Sequence, residues 1–318
     1  MTISARERAW IVCPSYTDVA AFTILRKRAI EVMEEAGFGD WHLRFVLIDD
    51  TGENDDEIGG LSSFDDVVVV SPPFNLGHQR AIVYGLRTIE SQVQDNDVIV
   101  TMDADGEDRP EDIPRLLAPL LEASETYRTV CVARRTQRRE STQFRVMYLA
   151  FRLVFRALTG VTVRSGNFAA YRGWRARRMI RHPYFDLCYS SALVSLDVPL
   201  VFVPCPRGER YAGRSRMNLF RLFMHGLRML MPFTDRIAVR ALAAFSAVFA
   251  LAVLGSLAVF AVKVFTSAGI PGWATDTLVG ILILSFLALG NFVILFVVFS
   301  HSRGISMAGL EADFDGRP

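Results

Sequence analysis

The chain has 318 residues, 51% of them hydrophobic, with 35 Lys and Arg against 34 Asp and Glu for a net charge of +1. Its four cysteines (Cys13, Cys131, Cys188, Cys205) are scattered with no Cys-x-x-Cys, which argues against a zinc site and suits the reduced thiols of the cytosol. The near-zero net charge hides a polarity: residues 1–126 carry 10 basic and 25 acidic side chains, residues 127–240 carry 22 and 5. Such a basic block suits anionic headgroups or a phosphate-bearing lipid. No stacking-aromatic or helix-turn-helix pattern accompanies it, so nucleic acid is not the expected partner.

Taken in order, residues 9–14 read as a short buried strand. Thr17 and Asp18 are helix start signals, and residues 20–36 carry apolar side chains at helical spacing until Gly37. Residues 41–48 are a second strand ending in Asp49-Asp50, and 67–70 a third. A helix is predicted over 78–93, then an apolar strand from Val98 that runs into Asp103, Asp105, Glu107 and Asp108. Residues 110–127 read as a helix with Pro110 near its first turn, where the missing N–H costs nothing. Residues 130–133 are a further strand. This strand–helix alternation predicts an α/β fold, a mostly parallel sheet with helices on both faces.

Ligands of such sheets bind beyond the carboxyl ends of the strands. Asp18, Asp49, Asp50, Asp103 and Asp105 all fall there. Alternate residues of an extended backbone share a face, so Asp103, Asp105 and Glu107 are expected to point the same way. An Asp-x-Asp alone is often a solvated loop; acids at three strand ends point instead to a hard divalent cation with a nucleotide. No Gly-x-Gly-x-x-Gly follows the first strand and no Gly-x-x-x-x-Gly-Lys-Ser/Thr occurs, so neither a dinucleotide fold nor a P-loop is supported.

Two amphipathic helices are expected at 143–158 and 217–231. The first fits either packing on the sheet or a membrane interface. The second, carrying Arg221, His225 and Arg228, is expected at the interface with its basic side to headgroups. Residues 241–262 and 277–300 are uncharged runs, each long enough as a helix to cross ~30 Å of hydrocarbon. The connector contains Gly269-Ile270-Pro271-Gly272, a turn signal. Arg228, Arg236 and Arg240 precede the first span and Arg303 follows the second, while the loop between them offers only Lys263. The positive-inside rule then puts the large domain and both termini in the cytoplasm, on the plasma or inner membrane. Residues 1–8 lack the apolar core of a signal peptide. Gly255, Ser256, Gly280 and Gly290 could pack across subunits of a homo-oligomer. Asn291 could bridge helices or bond its own backbone.

Five stretches in order resemble the family 2 glycosyltransferases with a GT-A fold. They are Pro14-Ser15-Tyr16-Thr17-Asp18, Ile48-Asp49-Asp50, Asn75-Leu76-Gly77-His78-Gln79-Arg80-Ala81-Ile82, the run from Asp103 to Glu111, and Arg210-Tyr211-Ala212-Gly213-Arg214-Ser215-Arg216. More narrowly the chain is similar to the branch that glycosylates polyprenyl phosphate, the dolichyl-phosphate mannose synthases and bactoprenol glucosyltransferases. The resemblance implies a GT-A domain over 1–213, a juxtamembrane helix over 214–236, a transmembrane hairpin over 237–302 with spans at about 239–263 and 277–300, and a tail over 303–318.

It further implies that Pro14, Tyr16, Asp18 and Asp50 hold a UDP- or GDP-linked sugar by base and ribose, with Asp103 near the nucleotide. Asp105 and Glu107 would ligate Mg²⁺ or Mn²⁺. Arg135, Arg145, Arg210 and Arg216 would surround the acceptor phosphate, with Asp105, Arg210 and Arg216 catalytic. Thr17-Asp18 stands for the family's Asn-Glu, Glu107 for its Gln and Arg216 for its Lys. A lipid phosphate is already ionised near pH 7, with a second pKa of about 6, so in-line inverting transfer is expected without an essential base. Two rivals remain: a membrane acceptor with a neutral hydroxyl, for which Asp108 would be the base, and a non-catalytic membrane adaptor that keeps the fold. Gln-x-x-Arg-Trp of the processive polymerases is absent.

Overall fold

The computed structural model describes residues 7–123, 125–136, 142–162, 165–196, 198–212, 219–266 and 272–300, with side chains except at 62, 142–146, 165, 219–221 and 296–300. It divides into two compact units, Met1–Phe151 with Val163–Pro232, and Arg152–Thr162 with Phe233–Pro318.

In the first unit the strands are β1 (Arg8–Ser15), β2 (His42–Asp49), β3 (Val67–Val70), β4 (Val98–Thr101), β5 (Val130–Arg135), β6 (Ser165–Arg172) and β7 (Leu200–Cys205). The helices are α1 (Val19–Glu35), α2 (His78–Thr88), α3 (Ile113–Glu122), the first part of α4 (Thr142–Thr159), α5 (Gly173–Met179), α6 (Tyr189–Ser195) and α7 (Leu219–Leu230). One sheet runs β3-β2-β1-β4-β6-β5-β7. Strands β1 to β4 are parallel, β6 is antiparallel to both β4 and β5, and β7 is parallel to β5. The expected α/β sheet is therefore mixed around one reversed strand.

Successive side chains of a strand point to opposite faces, and the core follows that rule. Ile11, Cys13, Phe45 and Leu47 pack with Phe22 and Leu25 of α1 and Leu116 and Leu117 of α3. Trp10, Val12, Val46 and Ile48 pack on the other face with Ile82 and Leu86 of α2 and Tyr189 and Leu193 of α6. Burying one such side chain stabilises the fold by about 1.5–3 kcal/mol, which is why both faces are covered. The start of β4 is held by Asp97, whose carboxylate accepts from Trp10 Nε1 at 2.9 Å, Arg8 Nε at 3.1 Å and the Gln94 amide at 2.9 Å.

Predicted helices shorten at both ends of one segment and at the end of another. The 78–93 helix ends at Thr88 and continues as a 3₁₀ turn, Glu90–Gln92. The 110–127 helix opens as a 3₁₀ turn at Pro110–Asp112 and its α-helix stops at Glu122. Pro119 inside it cannot donate to the preceding turn.

In the second unit, α8 (Thr234–Phe265) and α9 (Trp273–Ser300) pack against each other. At 32 and 28 residues they are about 48 and 42 Å long, so both helices outrun their uncharged runs. Both are long and apolar enough to cross a membrane. Buried residues along them are small, among them Ala252 and Ala288, with Ile281 Cδ1 against Gly255. Asn291 donates to the Leu287 carbonyl of its own helix at 2.8 Å. At the end of α4 the Arg240 Nη1 donates to the Ala157 carbonyl at 2.9 Å, a cation on the negative end of a helix. Arg303 and the tail over 303–318 lie outside the described residues.

Candidate active site

The parallel strands deliver four segments to one end of the sheet. Strand β1 ends in Ser15, whose Oγ accepts from the Asp18 amide at 3.3 Å as α1 begins. Thr17 between them has a left-handed φ of 61°. Pro14 is buried and Tyr16 is exposed. Strand β2 ends in two buried acids with local duties. Asp49 accepts from the amide and hydroxyl of Thr51 at 3.0 and 2.6 Å. Asp50 accepts from the Leu76 amide through Oδ1 and from Asn75 Nδ2 through its carbonyl, both at 2.6 Å. Asp50 therefore ties the β2 end to the loop that launches α2. Burial raises its carboxyl above the ordinary value against those amide bonds.

Strand β4 stops at Thr101, and residues 104–108 form turns and bends rather than an extended run. The three acids accordingly do not share one face. Asp103 is turned to one set of partners: His78 Nε2 meets its Oδ1 at 2.8 Å, Asn167 Nδ2 donates to the same oxygen at 3.1 Å, and Arg135 Nη2 stands 3.7 Å from Oδ2. Burial pushes the Asp103 carboxyl up, but His78 and Arg135 outweigh it and hold it below the carboxylate range.

Asp105 and Glu107 face another set. Arg210 pairs with Asp105 Oδ2 at 2.8 Å and donates through Nε to Glu107 Oε1 at 3.1 Å, and Arg207 pairs with Glu107 Oε2. The 207–211 segment is laced to the turn by Gly208 N to the Glu107 carbonyl and Tyr211 N to the Asp105 carbonyl, both 2.9 Å. This close approach needs glycine. Gly106 has φ 89°, and a Cβ there would fall 2.6 Å from the Tyr211 ring. Burial and then the Asp103 charge push the Asp105 carboxyl up to about 6.

Asp108 turns inward. Its Oδ2 accepts from the Asp103 amide at 3.0 Å and its Oδ1 from Arg135 at 3.2 Å. Burial and then the Asp103 charge push its carboxyl up to about 7. Asp108 is thus an internal brace of the turn.

Of the expected site residues, the structure gathers Asp103, Asp105, Glu107, Arg135 and Arg210 at this turn, and Asp18 lies within electrostatic reach of Arg210. Asp50 is directed to the neighbouring loop. Both described acceptor arginines, Arg135 and Arg210, are engaged by carboxylates. The Arg145 side chain and all of Arg216 lie outside the described residues. Three residues with no predicted role join the site: His78, Gln79 and Asn167. Gln79 Nε2 donates to Asn167 Oδ1, while its Oε1 accepts from the Ser190 amide at 2.9 Å. His78 and Gln79 sit inside a stretch that the sequence singles out; Asn167 on β6 carries no local signal.

Residues 36–176 match the family described as Glycosyl transferase family 2. The chain is 29% identical over 332 residues to an undecaprenyl-phosphate 4-deoxy-4-formamido-L-arabinose transferase of Enterobacter sp., covering 99% of this chain and 90% of that one. It is 28% identical to the protein of that name from Edwardsiella ictaluri, over 88% of this chain and 83% of the other. The solved mannose-1-phosphate geranyltransferase of Thermus thermophilus superposes with a TM-score of 0.38 at 12% identity, over 63% of this chain and 75% of that one.

Proposed function

We propose that this chain is a family 2 glycosyltransferase that moves a sugar from a nucleotide-sugar donor to a polyprenyl phosphate at the cytoplasmic face of the membrane. The observation that carries the reading is the extent of the likeness to undecaprenyl-phosphate transferases: it spans nearly the whole chain, the two apolar helices included. The basic residues that flank those helices, Arg228, Arg236 and Arg240 against Lys263 in the connector, support a cytoplasmic active site.

The donor set suits a divalent cation. Asp105 is a hard oxygen ligand crowded by Asp103, and a bound cation relieves that crowding. Among the described residues no three of His, Cys, Asp and Glu form a ready cage. Mg²⁺ needs none: it is usually held by one or two carboxylates together with substrate phosphates. Asp105 would hold it with Glu107, whose two arginine partners fix the direction of that carboxylate. The metal when bound supplies neutralising charge for the leaving diphosphate.

The remaining work falls to the chain's own groups. Arg210 stands beside Asp105 and adds a fixed positive charge where the leaving group becomes negative. Pro14, Tyr16, Asp18, Asp50 and Asp103 border the nucleotide, and Arg135, Arg145, Arg210 and Arg216 the acceptor phosphate. An ionised phosphate needs no general base, and the inward engagement of Asp108 fits that reading. Direct attack on the anomeric carbon inverts it.

The test is purified full-length protein with polyprenyl phosphate and a panel of UDP- and GDP-sugars, reading glycolipid by mass and anomer by NMR. A single inverted glycosyl phospholipid is expected. Excess EDTA should lower transfer by about 100-fold, a loss of roughly 3 kcal/mol in transition-state stabilisation, and Mg²⁺ or Mn²⁺ should restore it. Full turnover in EDTA would overturn the metal assignment, and no product from any donor would overturn the acceptor assignment.

A further inference from the structure

The reversed strand of the sheet sets one buried amide beside the acidic turn. Strand β6 runs against β4, with Val98 opposite Arg172 and Thr101 opposite Ala169. Two residues further along that register, Asn167 stands opposite Asp103. A parallel β6 would present its far end, near Arg172, at this place. The Asn167 backbone is pinned there: its carbonyl accepts from Thr101 Oγ1 at 2.6 Å, and the same hydroxyl meets Tyr189 Oη at 2.8 Å. Asn167 is 7% exposed, so its carboxamide needs partners within the protein.

The direction of that carboxamide is set by a distant backbone group. The Ser190 amide can only donate, and it donates to Gln79 Oε1 at 2.9 Å, with Cys188 Sγ 3.3 Å from the same oxygen. Gln79 therefore turns its Nε2 to Asn167, whose Oδ1 accepts. That leaves Asn167 Nδ2 aimed at Asp103 Oδ1, 3.1 Å away. His78 Nε2 lies 2.8 Å from the same carboxylate oxygen and 2.6 Å from Asn167 Nδ2. A protonated Nε2 serves the carboxylate and opposes the amide; a bare Nε2 serves the amide and opposes the carboxylate. Only the bond from Asn167 to Asp103 is satisfied in both cases. It holds Oδ1 whatever the state of the imidazole.

We propose that Asn167 is a positioning residue for the donor: through the relay Ser190–Gln79–Asn167 it holds the Asp103 carboxylate in the direction that the nucleotide meets. The assignment rests on the nucleotide-sugar donor proposed above. Asn167 acts on the donor through Asp103 alone. The relay has a polarity, because each link passes one N–H to one oxygen. Gln79 therefore governs donor affinity from one residue further back, through the face that it leaves to Asn167.

Three variants of the full chain test this by steady-state kinetics and thermal unfolding. Asn167→Leu removes the N–H donor without adding charge. Gln79→Glu keeps the acceptor for Ser190 but makes Asn167 turn its Oδ1 to Asp103. Both should raise the donor KM about tenfold, the scale of one hydrogen bond to a charged group. The acceptor KM and kcat should stay unchanged, the pattern of lost uniform binding. Gln79→Met lets Asn167 keep Nδ2 on Asp103, so its donor KM should stay near that of wild type. It strands the Ser190 amide, however, and should unfold at a lower temperature than Gln79→Glu. A merely structural network would lower kcat at constant KM and make Gln79→Met the worse variant in both measurements. That result, or an unchanged donor KM in Asn167→Leu, would overturn the proposal. Side-chain amide NMR of ¹⁵N-labelled protein is independent of turnover. The Asn167 resonance should shift in Gln79→Glu and in Asp103→Ala, and a resonance that stays in place would overturn the relay. If wild type transfers no sugar, the proposed function fails while this spectrum still decides the relay.

Discussion

Asp105→Ala is expected to lower glycosyl transfer by about 10³-fold, the upper range for removal of one transition-state stabilising group, while leaving the chain folded. The carboxylate has two partners: Arg210 at 2.8 Å through Oδ2 and the Glu107 amide at 2.9 Å through Oδ1. Its removal takes away a ligand for the proposed cation and also frees Arg210 from its place beside the leaving diphosphate. Folding should survive for an electrostatic reason. Burial and then Asp103 push the Asp105 carboxyl up to about 6. A carboxyl with a raised folded-state pKa destabilises the fold when ionised above that value, so its loss relieves repulsion at pH 7. Glycolipid formation and far-UV circular dichroism measure the two effects. A folded variant that retains wild-type turnover would refute the role of Asp105.

Asp97→Ala should have the largest effect on stability, far from the chemistry. Asp97 is 3% exposed and accepts from the Trp10 indole, the Arg8 guanidinium and the Gln94 amide. Alanine leaves the indole and amide hydrogens buried without an acceptor and strips Arg8 of its counter-charge. Removing one partner of such a cluster costs about 3 kcal/mol. In a unit of this size that is a fall of roughly 6–12 °C in the unfolding midpoint. Asp97→Asn keeps one acceptor oxygen and should fall by less. Thermal melts of the purified protein read both; equal midpoints for Asp97→Ala and wild type would show that the cluster contributes nothing.

Much of the scaffold is legible in the linear chain. Runs such as Val67–Val70 and Val98–Thr101 are β-branched and apolar because they are covered on both faces, and that pattern survives without knowledge of the fold. The two C-terminal helices announce themselves by length and hydropathy alone. Strand β6 carries no comparable signal. Ser165–Arg172 is rich in small and polar residues, and its place between β4 and β5 depends on pairing partners distant in sequence.

By itself the sequence determined the composition of the site: which acids follow which strands, and that a basic half and two apolar helices come after an acidic half. Those properties depend on residue type and order. Only the tertiary structure decided how the acids divide. Asp103 turns to His78, Asn167 and Arg135, Asp105 and Glu107 turn to Arg210, and Asp108 turns inward. Gly106 at positive φ breaks the alternation of an extended strand, so neighbouring carboxylates part company within a few residues. A period names the residues that share a face, but the partner of that face is fixed by packing between segments far apart in the chain.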